Sequence, residues 1–464
     1  MNIATIIDMA AEALGDRRAV GELTYAQVRK AAMRIATKIG DREPPAIAAA
    51  TFLPNGAHLP VALFGAAWAG VSYAPLNYRL PPTSRQELLS RIEPAVLLDE
   101  SWLNTDIGDE QTDYREDPTN PAVLLFTSGT SAAPKAAVLH HASLMAYVLN
   151  TLDFASAEES EAVLLAVPPF HIAGVAAVLS STFVGRRIVP MAQFQASQWL
   201  SLAQAEGVTH AMVVPTMLAR IVSILESDPS LRPRTLRSIA YGGSRMPTPV
   251  LERALQLLPD VDFVNAYGLT ETSSTVAVLG PEDHRLAMTS DDPNIRRRLD
   301  SVGRPVPGIE FMISDGEVCI RGEQVGGGYV DTASPIDKEG WLHTGDRGFI
   351  DDEGYVYIID RADDMIIRGG ENISPKEVED ALQRHPNVTG AAVVGLPDIE
   401  WGEKIAAMIV VKPESEIDIE EIRRHVQKQL GSLKTPEMIV VIDELPTNPT
   451  GKVMRRSVRE ILAP

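Results

Sequence analysis

One stretch of the chain gathers unusual chemistry into a single turn: Phe126-Thr127-Ser128-Gly129-Thr130-Ser131-Ala132-Ala133-Pro134-Lys135. Four hydroxyls, a glycine and a lysine supply backbone amides, hydroxyl donors and one cation, the parts needed to grip a polyphosphate. It is not a Walker loop, which requires Gly-Lys-Ser/Thr; here Pro134 precedes Lys135 and Ala136 follows it. Taken alone, the segment divides evenly between a phosphate loop and a hydroxyl-rich surface turn. Four further segments alter that balance. Pro168-Pro169-Phe170-His171-Ile172-Ala173-Gly174 closes one buried apolar run, and Asn265-Ala266-Tyr267-Gly268-Leu269-Thr270-Glu271 closes another. Trp341-Leu342-His343-Thr344-Gly345-Asp346 reads as a loop, and Pro446-Thr447-Asn448-Pro449-Thr450-Gly451-Lys452 lies near the C-terminus.

These groups need a scaffold. Strand-length apolar runs at 122–126, 162–167, 188–191, 211–214, 239–241 and 263–266 alternate with helix-period segments at 141–152, 197–205 and 249–258. Several runs are continuous, as for strands buried on both faces. The alternation predicts an α/β fold: a large multi-sheet N-terminal domain of mostly parallel βα units. The pattern changes near Asp360, which closes a strand at 355–359. Beyond it, Ser374-Pro375-Lys376-Glu377 reads as a capping box before a helix to about Gln383. Strands at 391–394, 405–411 and 438–442 and a helix at 419–430 follow. They predict a small α+β C-terminal domain, with boundaries 1–361 and 362–464 and a linker at 361–364.

Composition narrows the class. Asp and Glu number 62 against 42 Lys and Arg, a formal charge of -20 that argues against a nucleic-acid partner. The single cysteine, Cys319, rules out an internal disulfide or a cysteine-rich zinc site and reads as a buried thiol on a strand. The start, Met1-Asn2-Ile3-Ala4-Thr5, has no basic stretch ahead of an apolar core, and no apolar run approaches the ~20 residues of a membrane helix. A cytoplasmic setting without a transmembrane segment is expected.

In their order, and with Asp360-Arg361 between the last two, these segments resemble the motifs of the adenylate-forming superfamily: acyl-CoA synthetases, peptide-synthetase adenylation domains and luciferases. The likeness spans almost the whole chain. It implies ATP, magnesium and coenzyme A as reactants with a carboxylic acid: adenylation, pyrophosphate release, then thioester formation. It implies a nucleotide site from Thr127, Ser128, Gly129, Thr130, Ser131, Lys135, Gly242, Gly243, Ser244, Asn265, Ala266, Tyr267, Gly268, Thr270, Asp346, Ile358, Arg361 and Lys452. Tyr267 would stack on adenine, Thr270 would touch the α-phosphate, and Asp346 and Arg361 would hold the ribose. Glu271 would hold magnesium, a hard cation that favours carboxylate and phosphate oxygens. Lys452 would align the attack of carboxylate on phosphorus, where negative charge builds. His171, grouped with Lys452, Thr270 and Glu271, would gate between acid and thiol entry, with no proton transfer assigned to it. Asp363 would be the hinge of a mobile C-terminal domain, and Gly369 and Gly370 would line the coenzyme A tunnel.

The acyl pocket implied by the resemblance comprises His171, Ala173, Val214, Met217, Ala240 and Ser273. Its members are small or apolar, while Arg186 and Arg187 are expected to be exposed beyond it. That favours a fatty, alicyclic or aromatic acid over a dicarboxylate such as malonate. A carrier protein as acceptor, or an aryl-CoA ligase such as one acting on succinylbenzoate, are the alternatives within the enzyme class. A non-catalytic nucleotide- or acyl-binding regulator is the alternative outside it. Its support is Ala132 and Ala136, where the family usually has glycines. If either position needed positive φ, alanine would cost on the order of 1 kcal/mol.

Overall fold

The computed structural model describes residues 1–103, 121–127, 134–330, 334–361, 364–412, 417–448 and 452–463, without the side chains of Leu103, Asp360, Arg361 and Asn372. The expected phosphate-loop residues 128–133, the hinge Asp363 and Gly451 lie outside the described residues.

Four sheets make up the described chain. At the centre of the largest, strands Arg187–Pro190, Ala162–Leu165, His210–Val213, Ser238–Gly242 and Asp262–Leu269 run parallel. Ser274–Leu279 then pairs antiparallel with the last of them. A second sheet joins parallel strands Ala95–Leu97, Ala48–Thr51, Ser72–Pro75 and Pro121–Thr127 to an antiparallel edge, Lys135–His140. Both share one core, which includes Phe64, Tyr73, Leu164, Trp199 and Tyr241. Ala162–Leu165 is buried throughout, which is why it reads as an unbroken apolar run.

A third sheet is antiparallel: Ile309–Ser314, Glu317–Gly322, Leu342–Ile350 and Val356–Arg361. The fourth belongs to the smaller C-terminal domain. It combines Ile366–Arg368, Glu371–Ile373, Val388–Asp398, Gly402–Val411 and Met438–Val441 with helices Pro375–Gln383, Ile419–Leu430 and Arg455–Leu462. Its two faces carry separate cores, one around Val393 and Ile409, the other around Met408 and Val458. No described helix is long and apolar enough to cross a membrane.

Four local expectations are corrected. The Trp341–Asp346 motif is not a loop, because Leu342–Ile350 is a strand in which buried and exposed residues alternate through its first half. The polar residues and Gly345 hide that period in the sequence, and a bulge sits where Glu317 and Cys319 pair with Arg347 and His343. The strand expected to close at Asp360 runs on to Arg361. Helix Pro375–Gln383 starts where predicted, yet Ser374 makes no side-chain cap hydrogen bond. Glu377 is drawn instead to Lys434, whose Nζ donates to both of its oxygens at 2.9 and 2.7 Å. Arg186 and Arg187 are not exposed: each is largely covered and paired, with Glu161 and Glu206 respectively, at 2.8 Å.

Burial, the largest cause in each case, pushes His141, His171 and His210 down to about 4, so the fold holds them neutral at pH 7. Unfolded histidines protonate near pH 6.5. The unfolded chain therefore binds more protons between about 6.5 and 4, and stability is lost as pH falls through that window. Asp380, raised to about 6 chiefly by burial, opposes this in part. We expect the urea midpoint to decline steadily from pH 7 to 4.5; a flat or rising midpoint would contradict the assignment.

Candidate active site

The four parallel strands Ala162–Leu165, His210–Val213, Ser238–Gly242 and Asp262–Leu269 deliver their C-terminal ends to one edge. That edge is where open α/β sheets bind ligands. His171 precedes helix Ile172–Val184 there, Val214 precedes helix Pro215–Ser227, and Gly243-Ser244 follows Gly242. Gly242 lies opposite Ala266. A Cβ on Gly242 would meet the Ala266 carbonyl oxygen at 2.3 Å, so only glycine allows this approach.

The expected nucleoside residues converge. The Tyr267 hydroxyl donates to Asp346 Oδ2 at 2.6 Å. Asp346 in turn lies opposite Arg361 in the strand pair beside it. Asp346 is only 6% exposed, and a buried carboxylate needs donors. Its backbone N–H donates to the Thr344 hydroxyl at 3.0 Å, which donates to the Val318 carbonyl at 2.7 Å. Ile358 and Tyr267 pack on the same apolar cluster. Asn265 is turned to a structural task, its Nδ2 donating to the Ser301 carbonyl at 3.1 Å.

The phosphate end is assembled from both large sheets. Thr127 and Lys135 face each other where their antiparallel strands open, and the Thr127 hydroxyl donates to the Lys135 carbonyl at 3.4 Å. Lys135 Nζ lies 5.3 Å from the Tyr329 ring centroid, and the Tyr329 hydroxyl donates to Glu271 Oε1. Lysine, tyrosine and carboxylate thus form one line. Tyr329 was not anticipated; its signal is the run Gly326-Gly327-Gly328 directly before it. Thr270 and Glu271 sit in a 3-10 turn, Thr270–Thr272. The Thr272 hydroxyl pins it, accepting the Leu269 N–H at 2.9 Å and reaching the Ser274 carbonyl at 2.7 Å. Ser273 and Ser274 leave the turn at φ 53° and 116°, a strained passage for residues with a Cβ. Glu271, a carboxylate with one oxygen oriented by a tyrosine, fits a hard cation such as magnesium. Ala136 lies in a regular strand outside the positive-φ residues, so alanine carries no strain there. Ala132 lies outside the described residues.

Around the acyl segments, the His171 ring lies 4.7 Å from that of Phe170, tilted at 53°, and its Nε2 is buried without a partner among the described residues. Val214 and Met217 are core residues, Ala173 packs against that core, and Ser273 is fully buried with its hydroxyl unpartnered. Ala240 pairs with Met212 one strand away.

In the smaller domain, Gly369 and Gly370 form the two-residue turn of a hairpin, at φ 58° and 86°. Both positive angles match the primed turns that hairpins require. Lys452 is exposed and paired with Asn448, whose N–H donates to the Lys452 carbonyl at 2.8 Å and whose Oδ1 accepts the Lys452 N–H at 2.9 Å. Arg245, next to the Gly242-Gly243-Ser244 turn, bridges Asp300 at 3.1 Å and Asp380 of the smaller domain at 2.7 Å.

The family model described as AMP-binding enzyme matches residues 7–113 and 99–330, and that of the AMP-binding enzyme C-terminal domain matches 377–452. The chain is 32% identical to a fatty acid–[acyl-carrier-protein] ligase, ScoC, of Streptomyces coeruleorubidus, over 94% of this chain and 91% of that one. It is 30% identical to a 2-succinylbenzoate–CoA ligase of Bacillus cereus, over 89% and 88%. Its fold matches the o-succinylbenzoate CoA synthetase MenE of Bacillus subtilis, solved with an acyl-adenylate intermediate, at a TM-score of 0.83 and 27% identity, covering 98% and 97% of the two chains.

Tyr329→Phe keeps the ring beside Lys135 and removes the hydroxyl that orients Glu271. Loss of such an outer partner weakens a metal site by about 10- to 100-fold. We expect the magnesium-dependent part of ATP binding, measured by calorimetry, to weaken on the order of tenfold. An unchanged magnesium dependence would remove Tyr329 from the site.

Proposed function

The chain belongs to the AMP-binding enzyme family of AMP-forming ligases, and from that premise we propose an ATP-dependent acyl-CoA synthetase acting on an apolar carboxylic acid. The observation that carries this reading is the joint between Tyr267 and Asp346, with Arg361 opposite, reached from the other side by the line Lys135–Tyr329–Glu271.

In the first half-reaction a carboxylate oxygen attacks the α-phosphorus of ATP, and pyrophosphate leaves. Tyr267, the Gly242-Gly243-Ser244 turn and Ile358 hold the adenine. Asp346 and Arg361 take the ribose hydroxyls as acceptor and donor. Thr127, Ser128, Gly129, Thr130, Ser131 and Lys135 hold the leaving phosphates, and Thr270 positions the α-phosphate. Magnesium held by Glu271 would supply charge neutralisation on the phosphates. Lys452 meets the charge that builds at the attacked phosphorus.

In the second half-reaction the thiol sulfur attacks the acyl carbon, its proton is lost and AMP leaves. Before that attack, rotation of the smaller domain about Asp363 replaces Lys452 with the Gly369-Gly370 turn, along which the pantetheine passes. His171, neutral and with Nε2 unpartnered, stands between the acid and thiol routes. With Arg186 and Arg187 engaged by Glu161 and Glu206, the acyl-facing segments His171, Ala173, Val214, Met217, Ala240 and Ser273 favour fatty, alicyclic or aromatic acids. A cytoplasmic setting belongs to this reading, and ATP and coenzyme A as reactants are consistent with it.

A second reading replaces coenzyme A by a carrier protein, favoured by the 32% identity to a ligase of that class. Acid-dependent pyrophosphate release across a panel of carboxylates, run with coenzyme A, with a phosphopantetheinylated carrier protein and with neither, separates the two. Thioester on coenzyme A is the expected product; thioester on the carrier alone overturns the acceptor, and no acid-dependent release overturns the activity.

Lys452→Ala should slow adenylation by a factor on the order of 10² to 10³, the scale for losing one transition-state donor. Thioester formation from pre-made acyl-adenylate should be spared. Equal loss in both half-reactions contradicts the role.

A further inference from the structure

Outside the nucleotide site, one cluster on the antiparallel sheet combines sulfur, nitrogen and oxygen donors. Glu317 and Cys319 sit two apart on strand Glu317–Gly322 and therefore share a face. His343, on the neighbouring strand, lies directly opposite Cys319. We propose that Glu317, Cys319 and His343 form a binding site for a divalent thiophilic cation of the zinc class, separate from the magnesium position at Glu271.

The distances suit such an ion. One ligand atom from each residue lies within 4.8 Å of the other two. Cys319 Sγ is 3.6 Å and Glu317 Oε2 3.1 Å from the same atom, His343 Nδ1. Zinc bond lengths of roughly 2.3 Å to sulfur and 2.0–2.1 Å to nitrogen and oxygen give tetrahedral edges of about 3.6 and 3.3 Å. One imidazole nitrogen carries at most one proton and cannot serve both Sγ and Oε2 with it; a cation bonded to all three satisfies the set.

The surroundings are those of a prepared site. Asp337 Oδ2 lies 3.5 Å from His343 Nε2, on the far side of the ring, the place of the carboxylate that orients a metal-bound histidine. Asp337 is itself fixed, its Oδ1 accepting the N–H groups of Glu339 and Trp341 at 2.9 Å. Glu317 Oε1 accepts the Gly345 N–H at 2.8 Å, which leaves Oε2 facing the histidine. His343 is 43% exposed, giving an entry path and room for a water as fourth ligand. A mixed sulfur, nitrogen and oxygen set selects zinc-like ions over magnesium or calcium.

Cobalt(II) is the probe. The chain has one cysteine, so any sulfur-to-cobalt charge-transfer band reports Cys319. We expect the full-length protein to develop that near-ultraviolet band on titration with cobalt, and zinc to abolish it. Cys319→Ser should eliminate the band. His343→Asn and Glu317→Gln, at more exposed positions that spare the core, should each weaken cobalt binding at least tenfold, while Glu271→Gln leaves it unchanged. Absence of the band in the unaltered protein overturns the proposal, as does a band of equal affinity in both His343→Asn and Glu317→Gln. Either result leaves the ligase reading untouched.

Discussion

The hydrogen bond from Tyr267 to Asp346 joins two sheets that share no strand. Tyr267 belongs to the last parallel strand of the large sheet, and Asp346 to the antiparallel sheet that follows it in the chain. A carboxylate as buried as Asp346 would be costly without donors. The tyrosine hydroxyl, which comes from across the joint, donates to that carboxylate, while the Asp346 backbone N–H is held separately by the Thr344 hydroxyl. The joint therefore sets the spacing between an aromatic face and an acceptor oxygen. That spacing is what a purine nucleoside, flat at one end and hydroxylated at the other, requires.

Strongly periodic or continuously apolar segments were legible in the sequence. Helix Ile419–Leu430 and the parallel strands at 162–165, 210–213 and 238–242 fall within a residue or two of their expected positions. Burial on both faces leaves a mark that composition alone reveals. The segment at 341–346 was misread because its strand alternates through histidine, threonine and glycine, which carry no apolar signal. The capping box at Ser374 does not close: the Glu377 N–H turns to the Ser374 carbonyl, and Lys434, 57 residues later in sequence, takes the Glu377 carboxylate. Arg186 and Arg187 read as surface cations because their partners, Glu161 and Glu206, are brought to them only by the sheet. Among site residues, the motif positions were legible from their order. Tyr329 was not, since it acts through contacts between distant strands.

The chain's formal charge of -20 sets a problem for any polyanionic substrate. Long-range attraction cannot bring ATP to such a surface. Binding must rest on groups placed locally, and those proposed are the hydroxyls and amides of segment 127–135, Lys135, and a cation at Glu271. The line Lys135–Tyr329–Glu271 makes physical sense in that setting. A lysine over an aromatic ring and a carboxylate held by a hydroxyl are kept apart at fixed positions and do not collapse into an ion pair. Each is thereby placed to serve the proposed phosphate and metal site.

The contacts between the two domains are of a kind that can be given up. Arg245 to Asp380, Lys376 to the Ile358 carbonyl, and Arg220 to Glu444 are polar. Arg245 is about a third exposed, and Arg220 and Glu444 more than half. An ion pair as exposed as Arg220 and Glu444 contributes about 0–1 kcal/mol. The smaller domain meanwhile has its own apolar cores on both faces of its sheet. A domain proposed to present Lys452 in one half-reaction and the Gly369-Gly370 turn in the next needs this arrangement. Asp380 is the more covered partner of Arg245, and burial raises its carboxyl to about 6 despite that neighbouring charge.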